Sequence, residues 1–358
     1  MKPALAGRVA TGGVSAALLA AALFGASTPL AKALLASVEP QLLAGLLYLG
    51  SGVGLSLHRA VRNRRSAGSR EAPLTRRDMP WLAAATVFGG ALGPLLLMLG
   101  LARTAASSAS LLLNLEGVFT ALIAWFVFRE NFDRRIALGM LAILAGGVVL
   151  SWEGRLAWAG LAGPLLVVGA TLCWALDNNL TQKVSAGDPV QIALVKGLAA
   201  GTVNAAIAVA LGVRWPTLGR TSAALGLGFL GYGVSLVLFV RALRDLGTAR
   251  TGAYFSSAPF VGVAVSLVLF RERPTLFLGV GGALMAVGVW LHLTERHEHG
   301  HRHEATDHAH PHLHDEHHRH AHGPSDPPGE PHAHPHRHEP MVHIHPHYPD
   351  IHHRHGHD

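Results

Sequence analysis

From residue 12 to residue 293 the chain alternates between apolar blocks of about 20 residues, built mostly from Ala, Leu, Gly and Val, and short charged or Pro/Gly breaks. A block of that length, wound as a helix, crosses the roughly 30 Å hydrocarbon core of a bilayer. The blocks are apolar on all sides rather than along one stripe, which points to a membrane protein and not to a soluble helical one. The pattern predicts ten spans, at about 12–36, 40–58, 80–102, 105–128, 134–152, 160–182, 189–212, 221–244, 247–270 and 274–293. Beyond residue 297 the apolar pattern ends.

The blocks repeat. Phe128-Arg129-Glu130 recurs as Phe270-Arg271-Glu272, and at the same offset of 142 Gly139 matches Gly281 and Gly146 matches Gly288. Glu39-Pro40 and Asp188-Pro189, each suited to a helix start, align at an offset of 149, with a longer loop at 59–79 in the first half. A duplicated unit of five spans must cross the membrane in opposite senses in its two copies. The expected fold is therefore an all-α membrane protein of ten transmembrane helices in two inverted five-helix repeats, 12–152 and 160–293, followed by a disordered tail at 297–358.

Half of the residues are apolar and 14% are charged. The net charge of +7 does not suggest nucleic acid, because the basic residues cluster in loops between apolar blocks. With the N-terminus inside, cytoplasmic segments outside the tail hold sixteen Lys and Arg and the opposite segments hold six. That bias places both termini in the cytoplasm and the chain in the cytoplasmic (inner) membrane as a multi-pass protein. Lys2 and Arg8 before an apolar run resemble a signal peptide, read here as an uncleaved first helix. The single cysteine, Cys173, lies in an apolar block, so no intrachain disulfide forms.

Gly89, Gly90, Gly93 and Gly100 in the third span and Gly226, Gly228, Gly231 and Gly233 in the eighth suit close helix packing. Pro29, Pro94 and Pro259 fall inside spans and each removes a backbone donor. Each repeat has a small-residue stretch leading into an apolar helix that ends in an acid, followed by a Gly-spaced helix. Together with the segment WALDNNLTQKVSAGDPVQIALVKGLAAGTVN, Trp174 to Asn204, these features resemble the EamA-type permeases of the drug/metabolite transporter superfamily. The similarity covers roughly 12–293. It implies helices around a central cavity with alternating access. It leaves the cargo open among amino acids, nucleotide sugars, drugs and other metabolites.

Ionisable groups within spans are costly and therefore mark function. Glu116 lies near mid-membrane with no partner in its own span, which suits a proton carrier or a substrate ligand, and Asn114 sits half a turn away. Asp177 and Lys196 stand on consecutive antiparallel spans. At 1.5 Å per residue both lie about 8–10 Å from one membrane face, so an ion pair is geometrically allowed, either fixing helix register or serving binding and gating. Lys32, near the end of the first span, either snorkels to the interface or attracts an anion. Asn178, Asn179 and Asn204 are further polar candidates, and Ser256 and Ser257 lie level with Glu116 in the second copy. Trp81, Trp152, Trp158, Trp215 and Trp290 read as an interfacial belt. Local pairing or capping accounts for Glu130 and Glu272.

The tail holds 23 of the 25 histidines and few large apolar residues. Its unit is His-x-His: His297, His299, His301, His303, His308, His310, His312, His314, His332, His334, His336, His338, His343, His345 and His347. In an extended chain alternate imidazoles share one side, and imidazole suits zinc, nickel, cobalt and copper. No cofactor is required, and a divalent transition metal bound by the tail is the expected ligand. The expected partners are the lipid bilayer and a small-molecule or metal-ion substrate, with a homodimer allowed and nucleic acid not. No nucleophile–base pair or phosphate loop suggests an enzyme. The function expected is a secondary transporter moving a small metabolite or a divalent transition metal by alternating access, coupled to protons through Glu116. The alternative is a metal-sensing or metal-buffering membrane protein whose His tail is the functional part.

Overall fold

The computed structural model describes residues 3–65, 74–128, 134–151, 158–185, 187–294, 298–303, 306–312, 332–338 and 341–346. The helices are α1 (Pro3–Leu34), α2 (Pro40–Arg65), α3 (Met79–Ala85), α4 (Gly93–Leu101), α5 (Ala106–Leu112), α6 (Leu115–Phe128) and α7 (Arg134–Ser151). They continue as α8 (Trp158–Gln182), α9 (Pro189–Ala210), α10 (Leu218–Gly228), α11 (Ser235–Phe255), α12 (Ala258–Phe270) and α13 (Leu276–Leu293). Seven stretches are long and apolar enough to cross a membrane, and Ala137–Leu150, Ala258–Phe270 and Leu276–Leu291 are shorter apolar helices.

The polarity of this bundle is inverted relative to a soluble protein. Leu57, Phe126, Val127, Val148, Leu211 and Val268 face outward, whereas Ser27, Asp177, Thr181, Lys196, Asn204 and Ser235 are buried and hydrogen-bonded. An apolar exterior matches lipid, and polar groups turned inward find partners that hydrocarbon cannot offer.

Four irregularities interrupt the helices. π-helical segments fill Thr86–Leu92, between α3 and α4, and Phe229–Val234, between α10 and α11. The fourth predicted span is not continuous but breaks at Leu113-Asn114, between α5 and α6, and a matching break at Ser256-Ser257 separates α11 from α12. Pro259 sits in the first turn of α12, where a missing N–H costs nothing; Pro94 follows the π segment without a break, so its missing donor leaves a carbonyl of that segment to side chains, and Pro29 lies inside α1.

Helical hydrogen bonding runs through the predicted loop between the eighth and ninth spans. Ala, Leu and Arg in Arg241–Gly252 favour helix and no Pro intervenes, and Gly247 is the weak point of the stretch. The chain nonetheless reverses within α11. The rings of Phe239 and Phe255 lie 4.8 Å apart, whereas sixteen residues of straight helix would separate them by about 24 Å.

Glycines set the closest helix crossings. In the α7–α13 crossing, a Cβ on Gly146 would lie 2.7 Å from the Gly281 carbonyl oxygen and one on Gly288 would lie 2.5 Å from that of Gly139. In the α2–α9 crossing, Gly197 meets the backbone of Gly52, and Gly201 that of Leu49. Gly288→Leu is expected to cost about 2 kcal/mol through overpacking. It should lower the thermal unfolding midpoint in detergent, while Gly279→Leu, where nothing lies within 4 Å of the new Cβ, should leave it unmoved.

In the tail, strands β1 (Glu298–His303), β2 (Thr306–His312), β3 (His332–His338) and β4 (Met341–Pro346) form two antiparallel pairs, β1 with β4 and β2 with β3. The sequence predicts disorder for this segment. The difference has a physical basis in the His-x-His repeat, whose period of two is that of a strand. Isolated two-stranded pairs are marginally stable in water.

Candidate functional site

Two polar groups meet where α6, α8, α9 and the π segment Thr86–Leu92 converge. The first is buried. Lys196 Nζ, on α9, donates to Asp177 Oδ1 at 2.5 Å and Oδ2 at 2.7 Å, on α8. Thr181, one turn beyond Asp177, donates to its Oδ1 at 2.8 Å and accepts from Lys196 at 3.2 Å. The rise of two antiparallel helices joined by a short loop brings this pair level, and Thr181 at i+4 lies on the same face as Asp177. Lys196 is 1% exposed.

The second group is less deeply buried. Glu116 and Asn178 are part-exposed, and Asn178 Nδ2 donates to Glu116 Oε1 at 2.7 Å and approaches Thr120 Oγ1 at 3.5 Å. Glu116 lies in the first turn of α6 because the fourth span breaks just before it. A helix N-terminus favours negative charge there. Asp177 and Asn178 are adjacent in sequence, so α8 turns one toward Lys196 and the other toward Glu116.

The π segment supplies a polar wall. Its irregular register leaves carbonyl oxygens for side chains. Tyr48 Oη donates to Gly89 O at 2.7 Å and Trp174 Nε1 to the same oxygen at 2.9 Å. Asn204 Nδ2 donates to Ala91 O at 3.1 Å, and Gln41 Nε2 donates to Asn204 Oδ1 at 2.9 Å. Gly89 has to lack a side chain, because a Cβ there would overlap the Asp177 carboxylate.

Above this wall stands an aromatic cluster. The Phe24 ring meets Trp174 edge-on at 5.4 Å, Tyr232 at 5.7 Å and Phe255 at 5.5 Å, and Tyr48 lies 5.4 Å from Tyr232.

Of the residues singled out from sequence, the structure brings Glu116 to Asn178 and Asp177 to Lys196. It places the others elsewhere. Asn114 is buried at the α5–α6 break, donating to Leu111 O at 3.2 Å and facing Met285 Sδ at 3.7 Å. The helix break rotates it away from Glu116. Lys32 turns to the C-terminal end of α4, donating to Leu101 O and, at 3.0 Å, to Thr104 O. Asn179 donates to Ala175 O at 2.9 Å within α8. Ser256 and Ser257 donate to carbonyls of their own turn, at 2.8 Å to Gly252 and 2.7 Å to Tyr254. Glu272 caps α5, accepting from Ala106 N at 3.2 Å and Ser107 N at 3.3 Å. Trp81, Trp215 and Trp290 are exposed as a belt requires. Trp152 and Glu130 lie outside the described residues.

Sequence reading missed Tyr48, Phe24, Tyr232, Phe255, Thr120 and Thr181, and took Trp174 only as part of a motif. A mid-span Tyr needs a hydroxyl partner, and a Thr four residues from a buried acid shares its face. Those two signals were available.

Among the described residues of the helical part, no three His, Cys, Asp or Glu side chains come together as a metal site. In the tail the backbone register sets His299 opposite His345, His301 opposite His343, His308 opposite His336, His310 opposite His334 and His312 opposite His332. His303 ends β1 and His338 ends β3, while His297, His314 and His347 lie outside the described residues.

A family model described as the EamA-like transporter family matches residues 11–152 and again residues 161–294. An uncharacterized transporter of Methanothermobacter thermautotrophicus is 30% identical over 287 residues, covering 76% of this chain and 84% of its own length. A probable terminal-alkyne amino-acid exporter of Streptantibioticus cattleyicolor is 27% identical, covering 72% of this chain and 88% of its own. A probable 4-amino-4-deoxy-L-arabinose-phosphoundecaprenol flippase subunit of Pseudomonas fluorescens is 38% identical over 26% of this chain and 78% of its own. A crystal structure with 20% identity superposes with a TM-score of 0.60 over 77% of this chain and 95% of the other, a likeness of fold.

Proposed function

This chain belongs to the EamA-like transporter family, and from that premise we propose that it is a secondary transporter moving a small organic metabolite across the cytoplasmic membrane by alternating access. The observation that carries this reading is the Glu116–Asn178 contact. It is a part-exposed carboxyl in the middle of an apolar bundle, hydrogen-bonded only to neutral groups among the described residues. Such a group can hold a substrate or a proton in turn, which is the requirement for proton-coupled exchange.

Ten spans in two inverted repeats complete the reading, with both termini cytoplasmic. Several observations support it. The offset of 142 that joins Gly139 to Gly281 and Gly146 to Gly288 also carries the first π segment onto the second and the α5–α6 break onto the α11–α12 break. It exchanges the two glycine contacts of the α7–α13 crossing, since Gly139 meets Gly288 and Gly146 meets Gly281. The cargo names of two relatives, an amino-acid exporter and a flippase subunit for an amino-sugar lipid, support an organic cargo.

Purified full-length protein in proteoliposomes tests the function. An outward or inward proton gradient is expected to drive accumulation of at least one member of a panel of amino acids, amines and amino sugars. No gradient-driven movement of any member would count against a proton-coupled metabolite transporter.

The tail belongs to a second, additive reading, favoured by its cross-strand His register. It binds a divalent transition metal as an appendage that buffers or senses metal for the transporter. Calorimetric titration of the full chain with zinc should show binding that disappears when residues 297–358 are deleted, while solute flux survives. Zinc flux lost with the tail would instead favour metal as cargo.

A further inference from the structure

Given a transport site at Glu116, we propose that its substrate is an amine: a molecule presenting an ammonium group on an apolar or aromatic body. Charge makes the first part of the case. Three acidic or basic side chains meet at this level. Asp177 and Lys196 satisfy each other at 2.5 and 2.7 Å and are buried, with Thr181 completing their shell. Glu116 is left facing the amide of Asn178, a neutral partner. The site therefore carries one uncompensated negative charge whenever Glu116 is ionised. In a water-poor interior that charge is balanced either by a proton or by a cationic solute that takes the proton's place. An anionic solute would meet repulsion from Glu116 and, among the described residues that meet here, no free positive charge, because Lys196 is already engaged.

Shape and ring chemistry make the second part. Trp174 is four residues before Asn178 on α8, so both lie on one helix face, about 6 Å apart. Phe24 stands against Trp174, Tyr232 and Phe255, carrying an aromatic surface from α1 and α8 toward α11. Phe24 and Phe255 are only partly buried. An ammonium within about 6 Å of such ring faces gains cation–π attraction, and the apolar body attached to it covers the rest of the aromatic surface. Asn178 commits its NH2 group to Glu116 and Thr120, which leaves its carbonyl oxygen to accept from the ammonium. A carboxylate, an amide oxygen and aromatic faces together fit an amine better than a sugar, whose many hydroxyls would need more polar partners than these rings supply.

The test uses the full chain in detergent with three matched probes: 2-phenylethylamine, 2-phenylethanol and phenylacetate. Calorimetry should show the amine binding at least about ten-fold tighter than the other two. Glu116→Gln should remove that preference, Glu116→Asp should retain it in weakened form, and Phe24→Leu should weaken the amine several-fold. Circular dichroism and the unfolding midpoint establish that each variant is folded. Equal or tighter binding of phenylacetate, or an amine preference that survives Glu116→Gln, would overturn the proposal.

Proteoliposomes separate this proposal from the reading beneath it. Glu116-dependent flux of phenylacetate with none of the amine would leave transport standing and remove the amine. Selective amine binding without flux of any solute would support the amine site and remove transport.

Discussion

Replacing Glu116 by Gln is expected to lower proton-driven solute flux by at least ~100-fold, which corresponds to about 2.7 kcal/mol at 1.36 kcal/mol per decade. The substitution keeps the shape of the side chain and its contact with Asn178, since an amide oxygen still accepts from Nδ2. It removes only the capacity to bear charge and to exchange a proton. Stability should therefore change little, or rise slightly, because a neutral amide is easier to keep within a bundle than a carboxylate. The pH dependence of flux should vanish along with most of the rate. The discriminating measurement is flux at two external pH values in wild-type and variant proteoliposomes of equal protein content. Retained, pH-dependent flux in the variant would relocate the coupling group to another residue.

The opposite pattern is expected for Lys196. Its replacement by Met strands Asp177 as a buried charge without a partner, at a cost of roughly 3–5 kcal/mol. Yield of monodisperse protein and the unfolding midpoint should both fall sharply. Asp177→Leu alone should be comparably damaging. The double substitution, Lys196→Met with Asp177→Leu, should recover much of the loss, since a buried ion pair replaced by apolar residues is often neutral or better. Transport by the double variant then decides the purpose of the pair. Recovery of stability with flux intact would identify a register device between α8 and α9. Recovery of stability with flux abolished would identify a gating or binding role.

How much of this was legible beforehand depended on the kind of physics involved. Helix rise is the same in every sequence, so counting residues from a shared turn was enough to bring Asp177 level with Lys196. The cost of charge in hydrocarbon singled out Glu116 without knowledge of any neighbour. Glycine recurrence at a fixed offset marked Gly139, Gly146, Gly281 and Gly288 as a repeat, but only the structure shows that they meet in the α7–α13 crossing. Features that depend on local hydrogen-bond register were hidden. Hydropathy averages over a turn, so it cannot register a slip from α to π bonding at Thr86–Leu92 or a break at Asn114. That break sends Asn114 toward Met285 rather than beside Glu116. Contacts between distant helices were hidden for a related reason. Phe24 reaches Trp174, Tyr232 and Phe255 only because helix crossings fix the rotation of α1, and rotation about a helix axis is weakly specified when every face is apolar. Lys32 shows the same limit from the polar side. Open carbonyls at the end of α4 capture its ammonium, and an apolar pattern does not say where such carbonyls will be.

The interlocked glycines of α7 and α13 have a mechanical consequence. Each contact sets backbone against backbone, with a carbonyl of one helix lodged in the space that a side chain would have filled on the other. Side chains close in around the two contacts, Met285 on Gly146, Leu150 on Gly281 and Ile143 on Gly288. Backbone held this closely fixes the distance between the two helices, because no side chain at the contact can change rotamer to widen or narrow it. Each half supplies one glycine to either contact, so neither half is the anvil and neither the hammer. The contact surface of the crossing is the peptide group itself, so bulk added there has to push the two helices apart.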